Sequence, residues 1–539
     1  MPAIFKVIAV GAIFLVSASN FATTQTATLP GYVVHFDFLS NVRESRELVR
    51  VAKRAGARVI NIVPPAHIWE SSLALRMLDA ILDEIRRNKL SFVFTRIDAA
   101  FPAGRDGVRF NYLYGRILTE LARLPDGSDS QGYFRATAGL DSYDNWMEEE
   151  ARYYARHYAH QPNLLGINLG PFSEPFVSQR GSLLDYEDDT QCYEIIQYTP
   201  YAVRLWHRWL SVHFNSLDDI NREYGTTFKA ITEIPLPKSE RDTRFGNAQP
   251  AYFDFARSLN DWFTEHYETC RRIWHEEGGS TTVPFILQLS GFLAEKLALG
   301  RAGLAAFDLP DWIARADALG MSIYTNNGYP DYGHASVRAT VNLVATARDL
   351  GKDVFVLEGG CEAPNVVLDP EELKFFGSAA RKLNPRTYIY EFLKAKYAEQ
   401  FPSNPGKLVA WDGKIQAAAF KALRDLFEQI AGRPAIEERP VLYAVIDPRV
   451  ARKSVQAGAL NAALYDLASD VPIRFVTPSR DAKGLPGVPV LHLDGSVMPP
   501  NERLSSLMRS IPPVDSAGRP AWRSSVISAL ARGSGGGER

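Results

Sequence analysis

Residues 318–360 read ALGMSIYTNNGYPDYGHASVRATVNLVATARDLGKDVFVLEGG, and this stretch decides the fold. An apolar run at 318–324 gives way to a segment, 335–351, whose apolar residues recur at near-helical spacing, and a second apolar run follows at 353–358. Strand, helix, strand in that order is the unit of a parallel sheet, because parallel neighbours need a crossover between them. The second run ends in a carboxylate, Glu358, followed by Gly359-Gly360.

The same alternation extends in both directions. Strands are predicted at 32–39 (YVVHFDFL), 57–63 (ARVINIV), 90–97 (LSFVFTRI), 164–169 (LLGINL), 284–290 (PFILQLS), 318–324, 353–358 and 387–393 (TYIYEFL), with amphipathic stretches such as 43–55 and 72–88 between them. Eight βα units predict an α/β chain built on a (β/α)8 TIM barrel over 28–432. That span exceeds the usual barrel of about 250 residues, so insertions are required, and 101–145 and 175–280 supply them. Past Gly432-Arg433-Pro434 the runs PVLYAVID, PIRFVTP and VPVLHLDG, with a long helical stretch to 468, predict a smaller α/β domain over 433–509. The Pro-, Ser- and Gly-rich residues 510–539 read as a disordered tail.

Composition excludes several classes. Hydrophobic residues at 46% and charged residues at 23% are those of a globular chain, and a formal net charge of -2 provides no field to draw in nucleic acid. Lys6 followed by the short apolar run Val7 to Ala18 reads as a secretory signal within 1–27, which predicts an exported, periplasmic or extracellular protein with no membrane anchor after cleavage. Three cysteines, Cys192, Cys270 and Cys361, are too few and too irregularly spaced for a disulfide framework or a zinc site, and neither metal nor cofactor is implied.

Barrel active sites lie past the carboxyl ends of the strands, which directs attention to Glu174 in LLGINLGPFSEPF and to Glu358. Cleavage of a glycosidic bond needs two carboxyl groups, one to protonate the leaving oxygen and one to attack the sugar or activate water. For Glu358 the alternative is a structural ion pair with Arg96 or Arg315, and for Glu174 a solvated loop acid. Asn168, Tyr324 with Asn326 and Tyr329, His67 and Trp69 in PPAHIWE, and Asp37 are candidates to line a sugar cleft, whereas Glu391 reads as a paired core acid. Aromatic residues at 11% suit such a cleft.

These residues resemble the glycoside hydrolase family 42 β-galactosidases. YYARHYAHQPNLLGINLG (153–170) is similar to the family's approach to its acid/base strand, and RLWHRWLSVHFNSLDDINREYGTTFKAITEIPLP (204–237) to its Tyr-Gly-Thr-x-Phe passage. AYFDFARSLNDWFTEHYETCRRI (251–273) fits the helix that follows. The resemblance implies a retaining enzyme with Glu174 as acid/base, Glu358 as nucleophile, and Asn168 and Tyr324 as substrate contacts. It also implies a flavodoxin-like second domain and, from the trimers of relatives, a homo-oligomer. The family sets Asn and Glu side by side, whereas Asn168 and Glu174 are six residues apart here, in a stretch similar to the Gly-x-Gly-Pro-x-Gly-Glu loop of β-amylases.

The expected function is therefore an exported hydrolase of β-linked oligo- or polysaccharides, most simply a β-galactoside. The alternatives are an inverting or endo-acting polysaccharide hydrolase, and a non-catalytic carbohydrate-binding or polysaccharide-assembly protein on a barrel scaffold.

Overall fold

The computed structural model describes residues 27–36, 39, 41–96, 120, 122–128, 137–169, 177–179, 193–195, 197–279, 282–289, 306–325, 330–361, 370–390, 409, 414–431, 434–436, 438–478, 488–512 and 518–534. The expected signal segment falls on residues outside these, apart from Ala27. Eight strands, Leu29–His35, Val59–Val63, Ser91–Thr95, Leu164–Asn168, Ile286–Leu289, Ala318–Thr325, Asp353–Cys361 and Thr387–Tyr390, stand where the apolar runs predict them. They are called strands one to eight below.

Every pairing within this sheet is parallel, strand eight lies beside strand one, and a bridge between Ile167 and Phe285 joins strands four and five. The sheet is thus a closed (β/α)8 barrel, with no free edge. Its inner face is filled by Val33, Val59, Val63, Val93, Ile286, Phe355, Leu357 and Ile389. Gly166 and Gly320 leave room for them: a Cβ at these positions would lie 2.6 Å from Ile286 Cδ1 and 2.7 Å from Leu357 Cδ1. The outer face packs on helices including Val42–Arg54, Ser72–Arg87, Asp141–Tyr158 and Pro330–Asp349. The last begins at Pro330, ahead of the predicted 335, because proline's fixed φ and missing N–H suit the first helical turn.

Between strands four and five the insertion supplies helices Pro200–His213, Leu217–Tyr224 and the long Ala248–Glu276. The Tyr-Gly pair of the motif closes the middle one. Gly225 adopts a left-handed φ of 65° there, and its backbone lies against Gly246 so closely that a Cβ would meet Gly246 Cα at 3.1 Å.

The second unit is a four-stranded sheet. Strand Leu442–Val445 lies between the parallel strands Ile473–Val476 and Val490–His492, and Val497–Met498 returns antiparallel on the far side. The predicted long helix is two, Pro448–Lys453 and Val455–Leu467, because the Ser454 hydroxyl accepts from the Ala457 N–H and restarts the helix. Edge strand Ile473–Val476 is covered by the barrel. On helix Pro330–Asp349, Thr346 Oγ1 accepts from the Phe475 N–H at 3.1 Å, Arg338 and Asn342 donate to the carbonyls of Ser469 and Ala468, and Asp349 accepts from Arg474 at 2.7 Å. The edge is blocked to a foreign strand.

The tail expectation is corrected. Gly518–Ser534 is a helix, and its Trp522, Val526 and Leu530 are buried. These apolar residues recur every four positions and form one stripe, a signal that the flanking Gly, Ser and Pro obscure in the composition.

Candidate active site

Residues paired in a parallel register share a face, so the inner apolar set fixes which polar side chains point into the barrel. His35 pairs with Val63, Asn61 with Val33, and Thr95 with Asn168, two residues beyond the inward Val93. At the carboxyl ends of the strands the inner face turns polar: His35, Thr95, Asn168, Gln288, Ser322 and Glu358 are all buried.

Glu358 faces inward because strand seven is irregular. Met321 pairs with Val356 but the next residue, Ser322, pairs with Glu358, so Leu357 is an extra residue opposite strand six. Phe355 and Leu357 both belong to the inner cluster. Strict alternation from them would send Glu358 out toward the helices, and the bulge returns it to the inner face. There the Ser322 hydroxyl donates to Glu358 Oε2 at 3.1 Å.

Ser322 is one link in a buried chain across four consecutive strands. Asn168 Nδ2 donates to Gln288 Oε1, Gln288 Nε2 donates to Ser322 Oγ at 3.2 Å, and Ser322 donates to Glu358. The chain has one direction. An ionised carboxylate only accepts, so Ser322 gives it the one hydroxyl proton and takes a bond from the Gln288 amide, whose oxygen then faces Asn168. Asn168 Oδ1 is left buried without a protein partner among the described residues, an acceptor that an arriving hydroxyl would satisfy.

The ion-pair alternatives for Glu358 are engaged elsewhere. Arg96 Nη1 bonds Glu150 Oε2 at 3.2 Å and its guanidinium lies 4.4 Å over the Trp146 ring, while Arg315 binds Glu268 and Asp311. Of the predicted site residues, Glu358 and Asn168 share the buried chain. His67 and Trp69 lie against helix Asp141–Tyr158 of the outer layer. His67 lies 3.9 Å from Glu149, and the Trp69 ring lies tilted against Tyr153 at 4.8 Å, both partners belonging to that helix. The left-handed turn at His67, φ 46°, directs them there. The Tyr324 backbone pairs with Gly360, and its side chain lies outside the described residues, as do Asp37, Glu174, Asn326, Tyr329 and Glu391. Sequence reading missed Gln288 and Ser322. The signal in the sequence was a polar residue two positions past an inward one, Ile286 and Gly320 respectively, inside a run otherwise apolar.

Comparison with known proteins gives a likeness of structure alone. No family model matches the chain, and no curated protein matches it. A β-galactosidase from the psychrophilic Marinomonas ef1 superposes with a TM-score of 0.60 at 13% identity, covering 87% of this chain and 76% of that one. The β-galactosidase of the Antarctic haloarchaeon Halorubrum lacusprofundi does so at 0.62 and 15% identity, covering 86% and 69%. The fold is that of these β-galactosidases. The catalytic domain of a β-amylase from Paenibacillus polymyxa also matches, at 0.53 and 12% identity, over 76% of this chain and 100% of that one. Such a likeness establishes the barrel and leaves the chemistry to the side chains.

Proposed function

We propose that the chain is a glycoside hydrolase acting on a β-linked sugar, most simply a β-galactoside, by a retaining double displacement. The observation that carries the reading is Glu358: a buried carboxylate at the carboxyl end of strand seven, turned inward by a bulge and held by Ser322 on the chain that ends at Asn168. Glu358 attacks the anomeric carbon as the glycosidic bond breaks, and Glu174 gives its proton to the leaving oxygen. Glu174 then takes a proton from the water that releases the sugar from Glu358. Asn168 Oδ1 accepts from a ring hydroxyl.

A second reading is an inverting hydrolase. It is supported by the similarity of the stretch GINLGPFSEPF to the loop of β-amylases, in which Leu169 stands where the β-galactosidase family carries its acid. Export is part of the proposal and rests on Lys6 and the apolar run after it.

The test is a panel of nitrophenyl glycosides with the wild type, Glu358→Gln and Glu174→Gln. Activity on one sugar, reduced at least about a thousandfold in Glu358→Gln, is expected. NMR of the first-formed anomer separates retention from inversion. Activity indifferent to Glu358→Gln overturns the reading, and an inert wild type that still binds oligosaccharide supports the non-catalytic alternative.

A further inference from the structure

We infer that Asn61 is a positioning residue for Glu358, acting across the barrel through the carbonyl of Leu357. The kinetic part of this inference rests on the glycosidase reading; the structural part does not.

Asn61 is the central residue of strand two and is fully buried. Its register neighbours on either side are Val33 and Val93, both members of the inner apolar cluster. An amide among valines is unfavourable unless it is bonded. Asn61 Nδ2 donates to the Leu357 carbonyl at 2.9 Å. Strands one and eight separate strand two from strand seven in the ring, so this bond spans the interior and belongs to no ladder.

Leu357 is the extra residue of the bulge. It has no register partner on strand six or on strand eight. A backbone carbonyl facing an apolar interior needs a donor, and Asn61 supplies one to Leu357 from across the barrel. The bond therefore favours the bulged register over the regular one. Only in the bulged register does Glu358 share a face with Ser322. With Asn61 removed, strand seven loses what pins the bulge, and Glu358 loses its fixed aim.

Hydrogen exchange on the full-length protein tests this, with Asn61→Val and Asn61→Asp as the variants. In Asn61→Val, peptides covering Asp353–Cys361 are expected to exchange at least tenfold faster, while those from helix Ala248–Glu276 are unchanged. In Asn61→Asp the carboxyl, buried among valines, stays protonated and still donates, so slow exchange is retained. On the nitrophenyl glycoside that the wild type turns over fastest, Asn61→Val is expected to lower kcat at least thirtyfold with KM within twofold, and Asn61→Asp to keep most of the rate. Exchange at Asp353–Cys361 as slow in Asn61→Val as in the wild type overturns the inference, as does faster exchange with an unaltered kcat. If the valine variant does not fold, Asn61→Ser, whose hydroxyl is too short to cross the barrel, gives the same reading. A wild type inactive on every glycoside refutes the glycosidase reading and leaves the exchange result to decide the role of Asn61.

Discussion

Ser322 and Glu358 lie side by side on strands six and seven, joined by a 3.1 Å hydrogen bond, because strand seven carries one residue more than strand six just before them. The bond fixes the orientation of the carboxyl group. Ser322→Ala removes it. We expect kcat/KM on the best glycoside to fall about tenfold, as befits a hydrogen bond to a charged group. An unchanged kcat/KM would show that Ser322 does not hold the carboxylate.

Gln288 is the middle of the chain and uses both ends of its amide, toward Asn168 and toward Ser322. Gln288→Leu keeps the volume, leaves the Asn168 amide unpaired and takes from Ser322 a donor, while Ser322 still bonds Glu358. The expected loss is about 2–4 kcal/mol, from roughly 1–3 kcal/mol for the orphaned amide and roughly 1 kcal/mol for the bond lost at Ser322, read as a lower urea midpoint. Adding Asn168→Leu is expected to cost less than it does alone, since the bond it breaks is already gone. Full additivity would mean that the two residues are not coupled.

The barrel was legible because its signal is periodic. Eight apolar runs separated by helical segments leave few other architectures, and each run lies within a few residues of a strand. The candidate site was legible only where a polar residue closes an apolar run, as at Glu358 and Asn168. Gln288, Ser322 and Asn61 were hidden because each is one polar residue within an apolar run, and its meaning depends on which face it takes. That face depends on register, and the bulge at Leu357 changes register without any mark such as a glycine or proline at that position. The surroundings of His67 and Trp69 were not legible either, because a left-handed turn at His67, open to a histidine but not demanded by it, sets their direction.

Asp308 gives the fold a pH dependence of known sign. It caps helix Leu309–Arg315, accepting from the Asp311 N–H at 3.2 Å, and burial pushes its carboxyl up to about 6 against the opposing pull of Arg257 and that N–H. Between the ordinary value of 3.8 and about 6 the folded state therefore binds more protons than the unfolded chain, and stability falls as pH rises through that window. Asp308→Asn keeps the cap and has no proton to lose. It is expected to match the wild type near pH 4 and to exceed it by about 2–3 kcal/mol at pH 7, since each tenfold gain in proton affinity on folding is worth about 1.4 kcal/mol. Urea unfolding at the two pH values measures the difference, and a constant gap would refute the assignment.

The second unit is clamped to the barrel insertion by Arg452. Its guanidinium meets both oxygens of Asp254, at 2.6 and 2.7 Å, and Glu223 Oε1 at 2.6 Å, while the Tyr224 hydroxyl donates to Asp254 at 2.9 Å. Asp254 is buried, and burial pushes its carboxyl up while Arg452 and Tyr224 pull it down. Arg452→Met strands that carboxylate with a phenol as its one remaining donor among these, and breaking a buried pair from one side costs about 3–5 kcal/mol. The loss falls on the contact between the two units, so urea unfolding is expected to split into two transitions, the earlier from the unit that contains Arg452. Replacing both partners, Arg452→Met with Asp254→Leu, removes the stranded charge together with the bond and is expected to recover most of the loss. A double variant no better than Arg452→Met would mean that the clamp works through geometry that methionine and leucine do not reproduce, and a single variant with the wild-type midpoint would mean that the clamp does not hold the units together at all.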